Sequence, residues 1–266
     1  MMSHQSIQDR LGKKPSVIGV LQIYPSRTFA ELAGLTGYDF VVLDLEHGLL
    51  TDVDVFHAVQ ATSALDIAVI VRPRDHDPRT LGRHLDFGVD GFLIPDVSTA
   101  GQAKALVEAL HYPPHGTRGF AAPAHRSSRF GFALDAHKAS PRGNAFLAVL
   151  IESARGVASV DAILAVDGID AAIIGPADLS AHLGAVGDFS SPAFKAAFER
   201  LEGAASTHGK IAGAAPLPDQ QLAALFRRGH RLFILGSDTS LMRGAMLSRI
   251  AEAEKTLKDA GNEHAR

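Results

Sequence analysis

The chain has 266 residues, of which 46% are hydrophobic, and this fits one large domain or two small ones. A net charge of −3 gives no basic face for nucleic acid, and zero cysteines exclude disulfides, thiolate metal sites and a cysteine nucleophile. No apolar run is long enough to span a membrane and the N-terminus lacks a signal-peptide apolar region, so we expect a cytoplasmic protein with no membrane or nucleic-acid partner.

Eight short apolar runs recur along the chain, and a segment of helical character follows each of them. Most runs are apolar almost without interruption, which is typical of strands that are covered on both faces. The predicted strands span residues 17–23, 40–45, 67–72, 91–95, 146–152, 171–174, 211–215 and 231–235.

Helical patterns fill the intervals, and glycines stand where several of these helices should stop. The predicted helices span residues 28–35, 52–63, 78–87, 99–110, 157–165, 192–208, 219–228 and 240–258. Eight strand–helix units in about 250 residues favour a closed (β/α)8 barrel as a single domain over residues 1–266. The alternative is an open doubly wound sheet, but the GxGxxG motif that would favour it does not follow the first strand.

One long segment, residues 111–145, interrupts the repeat between the fourth and fifth strands. It is basic, since it carries Arg118, Arg126, Arg129 and Arg142. Loops of this length are usually functional or disordered. We expect the segment beside the strand ends, where its arginines could meet an acidic substrate tail or a neighbouring subunit.

Polar side chains stand at the carboxyl ends of several predicted strands. In a parallel barrel these ends lie on one face, where the loops build active sites. We therefore expect one functional site formed by Asp44, Glu46, His47, Arg72, Glu152 and Asp178.

The residue types in this set indicate the chemistry of the site. Glu152 and Asp178 come from neighbouring strands, so their carboxylates can share one cation, and two carboxylates plus waters suit Mg²⁺ or Mn²⁺. The planar guanidinium of Arg72 fits a substrate carboxylate, and His47 can move protons near neutral pH. Backbone N–H groups after Gly175 can face a small anion.

Each of these residues also has a structural interpretation. Asp178 could cap the helix that begins near residue 179, and Glu152 could pair with Arg155 on a surface turn. Arg72 could form a structural salt bridge, and His47 could be a satisfied structural histidine. The functional interpretation is favoured because all four residues fall at carboxyl ends of strands.

These residues, in this order and at these spacings, resemble the HpcH/HpaI aldolase family of metal-dependent (class II) pyruvate aldolases. The match runs from about residue 19 to residue 249. Its specific pieces are Gly37-Tyr38-Asp39-Phe40, Asp44-Leu45-Glu46-His47-Gly48, Val71-Arg72-Pro73, Tyr112-Pro113-Pro114 with Arg118-Gly119, Glu152-Ser153 with Gly156-Val157, Gly175-Pro176-Ala177-Asp178-Leu179-Ser180, and Gly236-Ser237-Asp238.

The resemblance implies a modified (β/α)8 barrel whose eighth helix is exchanged between subunits, commonly in a hexamer built as a trimer of dimers. It implies Glu152 and Asp178 as the metal ligands. It also implies His47 as the general base, supported by Asp86 in His84-Leu85-Asp86-Phe87-Gly88.

The substrate side of the site departs from the family pattern at one position. The resemblance implies that Arg72 binds pyruvate, with the N–H groups of Ala177 and Asp178 near its carboxylate. The aldolases usually carry a Gln two residues before the metal-binding Glu, where this chain has Leu150. Leu150 and Glu152 share one strand face, so apolar surface replaces a hydrogen bond beside the 2-oxo acid.

The expected reaction is the cleavage of a 4-hydroxy-2-oxo acid to pyruvate and an aldehyde. A divalent cation (Mg²⁺, Mn²⁺ or Co²⁺) and Arg72 would stabilise the enolate, His47 would take the 4-hydroxyl proton, and Asp44 and Glu46 would orient His47 or the waters on the metal. We expect no organic cofactor and no Schiff base, because the candidate lysines lie off the strand ends: Lys104, Lys138, Lys195 and Lys210.

Two other functions remain as alternatives. One is a lyase that acts on a CoA thioester, as in the citrate lyase β-type relatives of this superfamily. The other is a non-catalytic relative that binds a metal or a 2-oxo acid, which the apolar Leu150 motivates.

Overall fold

Eight parallel strands close into a barrel in which each strand pairs with its sequence neighbours and the last pairs with the first. The computed structural model describes residues 5–139, 145–215 and 221–264, with side chains described up to residue 260. The strands are β1 (Val17–Gln22), β2 (Phe40–Asp44), β3 (Ala68–Arg72), β4 (Gly91–Ile94), β5 (Phe146–Ile151), β6 (Ala171–Ile174), β7 (Ile211–Ala214) and β8 (Leu232–Ser237). The predicted (β/α)8 barrel is confirmed, and the open sheet is excluded.

The strands are apolar along most of their length, up to polar residues at some of their carboxyl ends, because both of their faces are buried. Alternate residues fill the barrel interior, among them Phe40, Val42 and Leu150, while their neighbours pack beneath the surrounding helices. Gly19 makes room for this interior packing, since a Cβ there would lie 2.1 Å from the ring of Phe40. The interior is therefore a packed core, and the site can form only above its top layer.

The helices surround the barrel and begin where polar side chains cap them. They are α1 (Ile7–Leu11), α2 (Arg27–Leu35), α3 (Asp52–Ala61), α4 (Pro78–Phe87), α5 (Ala100–Leu110), α6 (Leu134–Ala139), α7 (Ala154–Leu164), α8 (Pro176–His182), α9 (Pro192–Thr207), α10 (Leu222–Arg227) and α11 (Asp238–His264). α7 begins three residues before the prediction because the Ser153 hydroxyl accepts the N–H of Gly156. The first two residues of the predicted helix 219–228 lie outside the described residues.

Helix α1, which the sequence analysis missed, closes the end of the barrel opposite the strand carboxyl ends. Its Ile7 is buried in the interior cluster, and Arg10 binds Asp66 at 2.7 Å. A capping box of Ser6 and Asp9 begins the helix and was the available signal in the sequence. With this end covered by α1, the described part of the barrel opens at the carboxyl ends of the strands.

The basic segment 111–145 is partly helical. It contains two 3₁₀ turns, Ala122–Ala124 and Arg126–Ser128, followed by α6. Its Arg118 is buried, with its guanidinium 4.8 Å from the centre of the Tyr112 ring. Residues 140–144, which include Arg142, lie outside the described residues. The described part of the segment therefore consists largely of short helical turns, and its Arg118 contacts helix α4.

Helix α11 has 27 residues, extends past the predicted helix 240–258 at both ends and contacts β1 and β8. It exposes a series of large apolar side chains: Leu241, Met242, Met246, Leu247, Ile250 and Leu257. Within the described part of the chain, no helix is both long enough and apolar enough to cross a membrane.

Candidate active site

Asp44 and Arg72 form the centre of the site at the ends of β2 and β3. The two residues are paired in the strand register, and Asp44 is buried. Arg72 donates from Nε to Asp44 Oδ1 at 2.8 Å and from Nη2 to Asp44 Oδ2 at 2.6 Å. This two-point geometry is among the strongest that side chains form, so it holds the guanidinium plane in one orientation.

Asp44 also shapes the turn that carries His47. Its Oδ1 accepts the backbone N–H of Glu46 at 3.1 Å and that of His47 at 3.2 Å. Asp44 was expected, with Glu46, to orient His47 or the waters on a metal; it contacts His47 through the backbone N–H, and its side-chain partner is Arg72. The reason is the register of β2 and β3, which sets the carboxylate opposite the guanidinium.

Glu46 and His47 line the mouth. The side chain of His47 is 60% exposed, and its Nε2 lies 3.8 Å from Glu46 Oε2. The same oxygen is 3.4 Å from Arg72 Nε, is buried and has no hydrogen-bond partner. Burial raises the pKa of Glu46, against the opposing effect of Arg72 and His47. A buried oxygen that has these ion-pair contacts but no hydrogen bond can accept one from a ligand in the site.

Glu152 follows β5 and is almost completely buried. Its Oε2 accepts the backbone N–H of Asp96 at 2.8 Å. Burial raises the pKa of this carboxyl to about 7, with Glu46 and Asp178 adding to the rise and Asp96 and Arg72 opposing it. The carboxylates of Glu46, Glu152 and Asp178 therefore belong to one electrostatic cluster with excess negative charge, which a cation would relieve.

The end of β6 brings the backbone close to Glu152. A Cβ on Gly175 would lie 2.3 Å from Glu152 Oε1, so only glycine lets the carboxylate occupy this position. Gly175 is also the N-cap of α8, which places Asp178 in the first turn and not at the cap predicted by its structural interpretation. The N–H groups of Ala177 and Asp178 have no partner within the helix and can bind an anion.

The donor set fits a hard cation held by few protein ligands. No three His, Asp or Glu side chains of the described residues stand close enough to form a metal site. A pair of carboxylates is nevertheless a donor set found in Mg²⁺ and Mn²⁺ sites that keep several waters. The charges of Glu46 and Asp178 both act on Glu152, and Glu152 with Asp178 is the pair that the family resemblance implies as ligands.

Leu150 lies in the top of the interior, directly before the site. It is 3% exposed and belongs to the apolar cluster that fills the barrel. Its strand partner is Ile173 on β6. The wall below Glu152 is thus apolar, as the alternation of β5 predicted.

Asp86 lies on α4 and is held by the basic segment. Its Oδ1 accepts from Arg118 Nη2 at 2.7 Å, and its Oδ2 lies 3.9 Å from His125 Nε2. The expected pairing of Asp86 with His47 is thus not formed between the described residues of one chain. The position of α4 turns Asp86 toward the segment after α5, which sequence spacing alone does not reveal.

Asp96 was not among the predicted site residues, although its N–H binds Glu152. It has a φ of +43°, a left-handed conformation that few non-glycine residues adopt. The signal in the sequence was weak, since Pro95-Asp96 directly after β4 indicates only a turn.

The fold and the site define a (β/α)8-barrel protein with a cluster of charged side chains at the carboxyl ends of the strands. The family model described as HpcH/HpaI aldolase/citrate lyase matches residues 25–245, and the chain belongs to this family. The predicted resemblance is confirmed, and the protein is a lyase.

Relatives of known activity cover most of the chain. It is 34% identical over 244 residues to the 2-keto-3-deoxy-L-rhamnonate aldolase of Salmonella typhi, covering 92% of this chain and 91% of that one. It is 34% identical over 222 residues to the hydroxypyruvate/pyruvate aldolase of Chromohalobacter salexigens, covering 84% and 87%. A solved HpcH/HpaI aldolase/citrate lyase family protein from Burkholderia cenocepacia J2315 superposes with a TM-score of 0.87 at 30% identity, covering 93% and 98%.

Proposed function

We propose that this protein is an aldolase that reversibly cleaves a 4-hydroxy-2-oxo acid to pyruvate, or a close 2-oxo acid, and an aldehyde. One observation carries the proposal: Arg72, whose guanidinium is held by Asp44, and the buried Glu152 lie at the same end of the barrel, close enough to interact electrostatically. The aldolase relatives at 34% identity support it. The cytoplasmic location expected from the sequence stays a prediction.

Glu152 and Asp178 would hold a divalent cation, Mg²⁺, Mn²⁺ or Co²⁺. When bound, such a cation supplies Lewis acidity that stabilises the negative charge of an enolate oxygen. The raised pKa of Glu152 and its coupling to Asp178 support this assignment, because a cation would offset the charge that these carboxylates concentrate. No organic cofactor is proposed.

Arg72 would bind the 2-oxo acid and stabilise the charge that develops on it. Asp44 occupies Nε and one donor of Nη2, which leaves the Nη1 donors and the second Nη2 donor for a ligand. Because the guanidinium is already oriented, it does not have to reorganise as the enolate forms. The N–H groups of Ala177 and Asp178 would bind the carboxylate of the same substrate.

His47 would take the proton from the 4-hydroxyl as the C3–C4 bond breaks, and return it in the reverse direction. Its exposed ring stands at the mouth, where it can reach an aldehyde-side hydroxyl, and its Nε2 lies 3.8 Å from Glu46 Oε2. The electron pair of the broken C3–C4 bond passes to the 2-oxo group as the enolate. C3 of the enolate then takes a proton from solvent to give pyruvate, and His47 releases its proton to solvent.

A retro-aldol screen tests the proposal. The purified protein is incubated with 4-hydroxy-2-oxo acids of increasing chain length, with Mg²⁺, Mn²⁺ or Co²⁺, and pyruvate is measured. We expect metal-dependent release from at least one of them. Cleavage of a CoA thioester alone would identify the citrate lyase type of reaction, and calorimetric binding of pyruvate without turnover would identify a non-catalytic relative. Either result contradicts the proposal.

We also propose that the chain forms a homo-oligomer, most simply a hexamer, in which α11 packs on a neighbouring subunit. Beside the start of α11 lies a cavity of about 350 Å³ lined mainly by apolar side chains, among them Tyr38, Leu225 and Phe233. The apolar side chains further along α11 are exposed. An exposed apolar helix and an open apolar cavity are complementary, as expected for an element exchanged between copies.

Light scattering of two α11 variants tests this arrangement. Leu247→Glu places a charge on the exposed apolar surface and is expected to give smaller species with a lower melting temperature, because a carboxylate would be buried between subunits. Lys255→Glu, on the exposed surface of the same helix, is the control and should keep the wild-type mass. A monomeric wild type, or an unaffected Leu247→Glu variant, would refute the exchange.

A further inference from the structure

The turn after β4 holds one residue in an unusual conformation beside the site. Asp96 has a φ of +43°, in the left-handed region, although it is not glycine. Asp and Asn tolerate this region better than other side chains, whereas β-branched residues are strongly disfavoured there. The side chain of Asp96 is exposed, so burial of the side chain does not account for the conformation.

The left-handed backbone directs the Asp96 N–H to Glu152 Oε2, at 2.8 Å. The neighbouring residues fasten the turn to the end of β5 on both sides of this bond. The N–H of Val97 donates to the carbonyl of Leu150 at 3.2 Å, and the hydroxyls of Ser98 and Ser153 lie 2.9 Å apart. The turn is therefore a fixed part of the wall that holds Glu152.

The side chain of Asp96 supports the turn and not the site directly. Its Oδ1 accepts the hydroxyl hydrogen of Ser98 at 2.9 Å. On the other side of the turn, His76 Nε2 lies 2.7 Å from the carbonyl oxygen of Pro95. These contacts hold Asp96 from both ends, which keeps its N–H in place.

Glu152 is thus confined between two backbone groups. Its Oε2 accepts a hydrogen bond from the N–H of Asp96, and its Oε1 lies only 2.3 Å from the position that a Cβ of Gly175 would take. A buried carboxylate close to Glu46 and Asp178 would otherwise turn away from their charges. The N–H of Asp96 opposes this rotation and compensates part of the buried negative charge.

We propose that Asp96 is a positioning residue, whose left-handed backbone aims the Glu152 carboxylate into the site. The role belongs to the backbone conformation, so residues that tolerate a positive φ should preserve it. The inference rests on the proposed function to the extent that it assigns a cation to Glu152. Groups that orient a metal ligand typically change metal affinity by about 10- to 100-fold when they are lost.

Three substitutions at this position separate the backbone role from the side-chain role. Asp96→Gly and Asp96→Asn keep the left-handed backbone and are expected to bind Mn²⁺ as the wild type does. Asp96→Val disfavours that backbone and is expected to lower the Mn²⁺ affinity of the metal-free protein about 10- to 100-fold. Calorimetry measures the affinity, and thermal unfolding shows whether each variant folds.

A crystal structure of the metal-free Asp96→Val protein gives a readout that does not depend on the metal. We expect the Glu152 carboxylate to have turned away from the N–H of residue 96. An unmoved carboxylate overturns the inference, and so does an Asp96→Val protein that binds Mn²⁺ as tightly as the wild type. If Asp96→Val does not fold, Ser98→Ala is the second variant, because it removes the hydroxyl contact that ties the turn to Ser153 and that Asp96→Gly retains. It is expected to show the same shift in smaller measure, and an unmoved Glu152 there also overturns the inference. A wild type that binds no Mn²⁺ contradicts the metal assignment and leaves the structural readout decisive for Asp96.

Discussion

Replacing Glu152 by Gln is expected to lower kcat/KM for pyruvate release by about 10³-fold or more. The substitution keeps the size of the side chain but removes the charge that would hold the cation, and such a cation contributes several kcal/mol of transition-state stabilisation. Steady-state pyruvate release and Mn²⁺ calorimetry measure the two effects. Glu199→Gln, at an exposed position on α9, is the matched control and should change neither.

The same Glu152→Gln variant should be more stable than the wild type in the absence of metal, in a pH-dependent manner. Burial raises the pKa of Glu152 to about 7, so the wild type carries a neutral carboxyl below that pH and a disfavoured charge above it. The unfolded chain ionises at the ordinary, lower pKa, so the wild type loses stability as pH rises toward about 7, whereas the amide does not titrate. The gain in melting temperature should therefore be small at pH 5 and larger at pH 8. Undiminished pyruvate release by Glu152→Gln would contradict the role of Glu152 as a metal ligand. A gain in melting temperature that does not change with pH would contradict its raised pKa.

Replacing Gly175 by Ala is expected to reduce activity at least about 10²-fold, although no charged group is removed. The φ of Gly175 is −81°, which alanine adopts without strain. Its Cβ, however, would lie 2.3 Å from Glu152 Oε1 and 2.4 Å from Glu152 Cγ, so the carboxylate must move. A displacement of about 1 Å in a reacting site can cost this factor. Mn²⁺ affinity and kcat/KM should fall together.

Two further variants define the cause of this loss. Gly203→Ala lies in α9 with no atom within 4 Å of the new Cβ and should leave activity unchanged. Combining Gly175→Ala with Glu152→Asp shortens the side chain that collides, so the double variant should lose less than the sum of the two single losses in ΔΔG. Wild-type activity in Gly175→Ala, or strict additivity in the double variant, would show that the two residues do not share this contact.

The framework of the fold could be predicted from local patterns. A strand buried on both faces must be apolar throughout, so the eight runs stand out against the amphipathic helices between them. Predicted and observed strands differ by at most a few residues, as for β3, which begins at Ala68 where residue 67 was predicted. The missed helix α1 is only five residues long, and its capping box was the one local signal that marked it.

The residue types at the strand ends were also readable, because charge directly after a buried run is costly unless it has a partner or a function. Arg72 and Glu152 were placed in the mouth for this reason, and the structure brings both there. Their roles in catalysis stay predictions. The position of Leu150 in the interior followed from the two-residue period of β5.

The pairing of these groups was decided only by the tertiary structure. Asp44 binds Arg72 because the register of β2 and β3 sets them side by side, and Asp86 binds Arg118 because the segment after α5 covers α4. Strand register and helix packing join residues far apart in the chain, so local periodicity carries no information about them. The N–H that holds Glu152 comes from Asp96, whose left-handed φ is set by contacts on both sides of its turn. The amino-acid sequence by itself thus determined the barrel and the types of side chain at its mouth. The packing of segments that are distant in the chain decided which of these side chains form hydrogen bonds and ion pairs with each other.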